Sequence, residues 1–290
     1  MRVHVTGGSG FLGGHVLALL DRRGHEVTAL ARSTRAARQL EDLGAVAIAG
    51  DLGDPASVDA AFSASEADVL INLASLGFGH AGTIVAAAEE AGLDRAVFVS
   101  TAAVFTKLNA ASKAVRLAAE EAVRSSNLRW TIVRPTMIYG TSGDRNMWRL
   151  LRLLRRTPLV PMPGDGRSLQ QPVHVVDLAS AIVSAAERDE ATGRSYNLAG
   201  PEALTFRRVI DQAGAAVGRS PVLVPLPASA LSKILGLAEQ AGAHLPLKAE
   251  QIERLTEDKS YDISNAGNDL GFAPRTFASG IAEEARPLIR

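Results

Sequence analysis

Thr6-Gly7-Gly8-Ser9-Gly10-Phe11-Leu12-Gly13 is the stretch that decides the fold class of this chain. It follows a β-branched apolar run, Val3–Thr6, and opens a helical pattern, Phe11–Arg23. It satisfies G-x-G-x-x-G through Gly8, Gly10 and Gly13, and G-x-x-G-x-x-G through Gly7, Gly10 and Gly13. One glycine supplies the positive φ of a tight turn. Another removes the Cβ that would strike a pyrophosphate, and the last lets the helix close on the strand. The helix N-terminus then aims free N–H groups at phosphate oxygens. Glycines precede many helices, so the strand–turn–helix setting carries the inference. Gly7, Gly10, Phe11, Leu12 and Gly13 are therefore candidate dinucleotide-binding residues.

Outward from that turn, strand-like runs recur at Glu26–Ala31, Val46–Ala49, Val69–Leu73, Ala96–Ser100 and Trp130–Arg134. Helical patterns separate them at Thr34–Leu43, Pro55–Ala64, Gly82–Ala91 and Ser112–Ser125. Strands alternating with crossover helices predict an α/β fold, a Rossmann-type doubly wound parallel sheet. After Pro135 the rhythm changes and Pro and Gly punctuate the chain. Helices are expected there at Arg145–Arg156, Val176–Glu187, Phe206–Val217, Ala228–Ala241 and Ala249–Thr256. Short extended pieces are expected at Leu159–Met162, Gln171–Val175 and Ser195–Leu198. We read residues 1–135 as the nucleotide-binding domain, completed by parts of 171–200. Residues 136–290 read as a smaller substrate lobe interleaved with it.

The chain has 290 residues, 47% of them hydrophobic, enough for a sizeable core. Its 31 basic and 31 acidic side chains balance, which argues against a broad nucleic-acid surface. Without cysteine there is no disulfide, thiolate nucleophile or cysteine-bound metal. The histidines show no ligand spacing, so no metal is expected. Pro221 to Ala238 is apolar but broken by prolines and Lys233, too interrupted to span a membrane. The first residues carry no long apolar run. These features lead us to expect a cytoplasmic protein with a small-molecule substrate and neither nucleic-acid nor membrane partners.

Cofactor choice turns on the end of the second strand, Ala29-Leu30-Ala31-Arg32-Ser33-Thr34-Arg35. NAD sites usually place an acid there to accept from the ribose 2′-OH. Arg32 stands in that position with no acid nearby, and guanidinium suits a 2′-phosphate. With Ser33 and Arg35 beside it, Arg32 points to NADP(H) in preference to NAD(H). Asp51-Leu52 ends strand three, where a carboxylate reaches the adenine; Asp51 equally suits a cap for the next helix, with Asp54. Leu73, Ala74 and Ser75 follow strand four, where the backbone passes the cofactor ribose.

These motifs are joined by Phe98-Val99-Ser100-Thr101, Ser112-Lys113, Val133-Arg134-Pro135 with Tyr139-Gly140, and Gln171-Pro172-Val173-His174-Val175-Val176-Asp177. Together they resemble the extended short-chain dehydrogenase/reductase superfamily, in its NAD(P)-dependent epimerase/dehydratase branch, over residues 1 to about 200. The resemblance implies that Thr101 is the catalytic hydroxyl and that Lys113 holds the nicotinamide ribose. It places Pro135 beside the cofactor. In that family a tyrosine four residues before the lysine exchanges the proton while hydride moves. Asn109 occupies that place here, and an amide is neither acid nor base near neutral pH. Lys107 competes with Lys113 for the lysine role. Tyr139, Lys107 and Thr101 acting through water are the alternative proton donors.

The expected function is an NADP(H)-dependent oxidoreductase of the epimerase/dehydratase-like type. Its substrate is expected to be a sugar, including a nucleotide sugar, or another small hydroxyl or carbonyl compound. The alternative is an atypical member that uses NADP(H) as scaffold or for redox sensing, without net hydride transfer. Gln170 stands where sugar-nucleotide enzymes usually offer an arginine, with Arg167 three residues earlier, which weakens a diphosphate contact. Asp144-Arg145-Asn146 suits either a substrate contact or a helix cap. The apolar segment Leu223–Leu237 reads as core or subunit contact, and His174 as structural. Helices around Arg116 and Leu178 suit pairing in a homodimer, as in related dimers.

Overall fold

Seven strands pair in parallel because their side chains are apolar on both faces and helices cover both. A computed structural model describes residues 1–108, 111–227, 229, 233 and 254–289. In chain order the strands are β1 (Arg2–Thr6), β2 (Glu26–Ala31), β3 (Val46–Ala49), β4 (Val69–Asn72), β5 (Arg95–Val99), β6 (Arg129–Pro135) and β7 (Ile138–Tyr139). They continue with β8 (Leu159–Pro163), β9 (Leu169–Gln170), β10 (Val173–His174), β11 (Arg194–Leu198), β12 (Leu204–Thr205) and β13 (Val222–Leu226). The helices are α1 (Phe11–Arg22), α2 (Thr34–Glu41), α3 (Pro55–Ser65), α4 (Ala81–Glu90) and α5 (Ala111–Arg124). There follow α6 (Met147–Arg156), α7 (Val175–Glu187), α8 (Phe206–Ala216), α9 (Ser264–Leu270) and α10 (Phe277–Ile289).

The main sheet runs β11-β6-β5-β4-β1-β2-β3. The chain reverses its direction of winding after β3, so the crevice between the C-terminal ends of β1 and β4 is the expected ligand site. The Rossmann-type doubly wound sheet expected from the sequence is thus present, with β11 joining late as a seventh strand beside β6. One face is packed by α1 and α7 through Val16, Leu17, Leu178 and Ile182. The other is packed by α3, α4 and α5 through Phe62, Ile84 and Val123.

A second core lies beyond β6. Met147, Leu151 and Leu154 of α6 meet Phe206, Val209 and Ile210 of α8, and Phe277 and Ile281 of α10. Three two-stranded pairs, β7–β10, β9–β12 and β8–β13, accompany the main sheet. The helix expected from Arg145 begins at Met147 because Asp144 caps it. Its carboxylate accepts the backbone N–H groups of Asn146, Met147 and Trp148 at 2.7, 2.6 and 3.2 Å. The extended run expected through Val175 ends at His174, whose Nδ1 accepts from Val176 N at 3.3 Å and caps α7. The helices expected at Ala228–Ala241 and Ala249–Thr256, and the distal part of Leu223–Leu237, lie for most of their length outside the described residues. Leu178 is buried in the core, so its side chain is not offered to a second subunit; α5 does expose Val115 and Leu117.

Candidate functional site

The glycine-rich turn explains itself residue by residue. Gly7 has φ +72°, and a Cβ there would sit 2.7 Å from Ala74 N and 2.8 Å from the Leu73 carbonyl carbon. Glycine is what lets the end of β1 turn against the end of β4. At Gly13 a Cβ would run into the Gly8 carbonyl, so this glycine holds α1 against its own loop. Gly10 is different: its φ is −81°, and a Cβ would meet only Gly7 O, at 3.2 Å. The space beside Gly10 is not filled by protein, and no side chain caps α1. An open cradle before uncapped helical N–H groups fits a pyrophosphate. The rim is held by Thr6 Oγ1, which donates to Asn72 Oδ1 at 2.5 Å, and by Asn72 Nδ2, which donates to Ala74 O at 3.2 Å. Phe11 and Leu12 begin the helix, and Leu73 packs on the core beside it. Ser75 spends its hydroxyl on Gly77 N at 3.2 Å, shaping the turn after β4.

At the end of β2, Arg32 and Arg35 are exposed. Among the described residues neither forms an ion pair. Ser33 accepts from Ala36 N at 3.2 Å and caps α2, so its hydroxyl serves the helix while the arginines remain available. Asp51 accepts from Gly53 N at 3.0 Å, which turns the chain toward α3. Asp54 occupies the N-cap position of α3 without a side-chain bond.

At the end of β5, Thr101 Oγ1 accepts from Ala103 N at 3.2 Å and starts a short 3-10 turn. Lys113 is half-buried and donates from Nζ to Thr106 O at 2.7 Å. Asn109 lies outside the described residues. Beneath the site, Glu120 is buried and accepts from Ser100 Oγ at 2.7 Å, from Arg134 at 2.9 and 2.6 Å, and from Arg124 at 2.7 Å. Burial opposes its charge, but hydrogen bonds from Arg134 and Ser100 outweigh that and hold its carboxyl below the usual range. The Arg134 guanidinium also lies over the Phe105 ring, 5.2 Å from its centre.

Tyr139 is the candidate proton donor that the fold encloses. It is fully buried in the second core, 5.3 Å from the His174 ring and 5.0 Å from Phe277. Its hydroxyl faces Gly280, where a Cβ would collide with it. Pairing of β7 with β10 draws the side chain into that core. Burial pushes its phenol well above the ordinary value.

A cavity of about 800 Å³ opens instead beside Thr101 and Pro135, between α6 and the segment 254–261. Its walls are largely apolar, with Phe105, Leu108, Met137, Leu150, Leu153 and Leu255. Thr101, Lys107, Arg145, Asn146 and Gln170 also line it, and further polar groups come from the stretch 254–261, to which the sequence analysis gave no catalytic or binding role. Glu257 accepts from Thr106 Oγ1 at 2.5 Å and from Lys107 N at 2.7 Å, so Lys107 is tied through its backbone. Gln170 donates to the carbonyls of Leu255 and Glu257, each at 3.3 Å, and accepts from Lys259 Nζ at 3.2 Å. Burial lowers the Lys259 pKa, although Glu257 opposes this. Arg167, by contrast, is exposed and pairs with Asp165 at 3.5 Å. The only signal in the sequence was a polar run, Glu257-Asp258-Lys259-Ser260-Tyr261.

A family model described as NAD(P)H-binding matches residues 7–189. The chain belongs to this NAD(P)H-binding family. It is 28% identical to the 4-hydroxy-2-methyl-3-oxo-4-farnesyl-3,4-dihydroquinoline-1-oxide ketoreductase of Stigmatella aurantiaca, covering 95% of this chain and 92% of that protein. It is 27% identical to the 2-alkyl-3-oxoalkanoate reductase of Stenotrophomonas maltophilia, covering 95% of each. Its fold is that of UDP-glucuronic acid 4-epimerase from Bacillus cereus, solved with UDP-glucuronic acid and NAD. The TM-score is 0.75 at 18% identity, over 99% of this chain and 98% of that one. The resemblance drawn from the motifs thus meets an NAD(P)H-binding family, two relatives named as reductases and the fold of an epimerase. No helix among the described residues is long and apolar enough to cross a membrane. Among those residues no group of acids and histidines is arranged to hold a metal ion.

Proposed function

We propose that the protein is an NADP(H)-dependent reductase of carbonyl compounds that are mainly apolar. The observation that carries this reading is the largely apolar cavity at Thr101 and Pro135. A nucleotide sugar would bring hydroxyls and a diphosphate to these walls, where Lys107, Arg145 and Arg149 stand beside the apolar side chains. Gln170, standing where a diphosphate-binding arginine is usual, spends its amide on backbone carbonyls. The two reductases above act, by their names, on a farnesylated quinoline oxide and a 2-alkyl-3-oxoalkanoate, which supports an apolar ketone over a sugar.

A bound reduced nicotinamide supplies hydride to the carbonyl carbon. The turn from Gly7 to Gly13 and the α1 N-terminus hold its pyrophosphate, and Asp51, Leu52 and residues 73–75 border the adenosine half. Arg32, with Arg35, binds the 2′-phosphate and sets the preference for NADP(H). Lys113 and Pro135 position the nicotinamide end. Thr101 accepts one hydrogen bond from Ala103 N, which leaves its own proton to donate to a substrate carbonyl oxygen. Loss of absorbance at the reduced-nicotinamide band, with a panel of 2-alkyl-3-oxoacyl esters and of UDP-sugars, tests the reading. We expect NADPH oxidation with the oxoacyl compounds. Turnover confined to the UDP-sugars would overturn it.

A further inference from the structure

Hydride delivery leaves a negative charge on the carbonyl oxygen, and Asn109 stands where the family's proton donor would be. The chain has three tyrosines, and the fold sends them to three different places. Tyr139 is enclosed in the second core. Tyr196 is buried in the main core and donates to Asp269 Oδ2 at 2.9 Å. Tyr261 is the one that lines the cavity.

Its position is set from several sides. Tyr261 N donates to Gln171 Oε1 at 2.8 Å, and Gln171 Nε2 returns a bond to Tyr261 O at 3.3 Å. The ring lies 5.7 Å from that of Phe105. The hydroxyl stands 3.4 Å from the carbonyl oxygen of Ala102, the residue after Thr101. That bond is long against the roughly 2.7–2.8 Å usual for O–H···O, so it orients the hydroxyl while leaving it free to exchange partners.

We propose that Tyr261 is the proton donor of the reaction, a phenol supplied from the C-terminal segment in place of the missing tyrosine. The proposal rests on the reductase reading. In the step, hydride from the reduced nicotinamide forms the new C–H bond and the carbonyl π bond breaks. The oxygen takes the Tyr261 proton. The substrate is reduced to an alcohol, the nicotinamide is oxidised, and bulk solvent returns a proton to the phenolate. Burial, and secondarily Glu257, raise the phenol's pKa, so Tyr261 carries its proton at neutral pH. An alkoxide is a far stronger base than phenolate, so the transfer still runs downhill. The rival donors are less well placed. The Lys259 ammonium is engaged by Gln170 Oε1 and the Arg254 carbonyl. Lys107, which also lines the cavity, is exposed, and among the described residues no side-chain bond holds it toward Thr101 as Tyr261 is held at Ala102.

Tyr261→Phe keeps the ring against Phe105 and removes only the hydroxyl. With NADPH and an oxoacyl ester, we expect kcat to fall by about 10²- to 10⁴-fold. NADPH affinity, by fluorescence titration, and the thermal midpoint should not change. Binding of the alcohol product, measured calorimetrically without turnover, should weaken roughly two- to tenfold for the lost hydrogen bond. Tyr196→Phe should keep wild-type kcat. A Tyr261→Phe variant with wild-type kcat overturns the proposal alone. Parallel loss of NADPH affinity and kcat overturns it in favour of a structural role. Wild-type protein that binds NADPH and reduces no carbonyl overturns the reductase reading, and the proposal with it.

Discussion

Glu284 accepts the Gly140 N–H on Oε2 at 2.9 Å, joining α10 to the turn after β7 across 144 residues of chain. Both this carboxyl and that of Asp144 are buried, 2% and 4% exposed. Burial, reinforced by the nearby Asp144 charge, pushes the Glu284 carboxyl up to about 8. Burial raises Asp144 as well, against three backbone N–H groups that favour its charge. Two carboxyls enclosed together favour a shared proton. Burial thus favours the protonated form of an acid that α10 sets against the turn after β7.

Stability should fall between about pH 6.5 and 8. Glu284 has a folded pKa near 8 against an ordinary 4.5. The folded state thus binds more protons than the unfolded one across that interval, and stability declines as pH rises through it. His174 acts with the opposite sign: burial lowers it from 6.5 to about 4, so its contribution rises with pH and is complete by about 6.5. His4 behaves likewise. Thermal melts across the upper window should show the decline in wild type and a flatter profile in Glu284→Gln. An identical slope in the variant would remove Glu284 as its source.

Arg32→Ala should weaken NADPH binding by roughly 10- to 150-fold, the equivalent of about 1.5–3 kcal/mol for a charge-assisted hydrogen bond. NADH has no 2′-phosphate, so its affinity should scarcely move. Calorimetric titration of both nucleotides separates the two effects. An equal loss for both would mean that Arg32 serves the fold rather than the choice of cofactor.

Gly7→Ala should abolish dinucleotide binding and cost about 1–3 kcal/mol of stability. The left-handed backbone disfavours a side chain, and the methyl would press on the Ala74 backbone at 2.7 Å. Gly24→Ala is the comparison for conformation alone, because a Cβ there meets nothing within 4 Å although φ is also +72°. It should lose stability and keep binding. Chemical denaturation and nucleotide titration read the two quantities.

Lys113→Met should lower kcat/KM for NADPH oxidation at least tenfold, if the ammonium positions the ribose as well as bonding Thr106 O. Loss of the Thr106 bond alone should cost about 0.5–1.5 kcal/mol of stability. A variant with reduced thermal midpoint and unchanged kcat/KM would assign Lys113 to the loop only.

The nucleotide half was legible because its signals are local. The glycines from Gly7 to Gly13 and the β-branched runs each report on structure within a few residues. The second lobe was legible only in outline. Tyr139 follows Pro135 closely in the chain, which made it attractive as a donor, yet β7 pairs with β10 and carries it into the core. Gln170 read as a lost charge, because Lys259, which bonds to it, lies 89 residues further on.

By itself, then, the sequence determined a parallel α/β sheet with a dinucleotide cradle, since a tight turn and an uncapped helix end are properties of one short segment. Only the tertiary structure decided what lines the cavity beside Thr101. It brought Tyr261 to Ala102 across 159 residues, set Glu257 against Thr106 and walled the cavity with α6. The physical reason is that cavity walls are assembled by packing between distant helices and loops, and no local periodicity encodes which of them will meet.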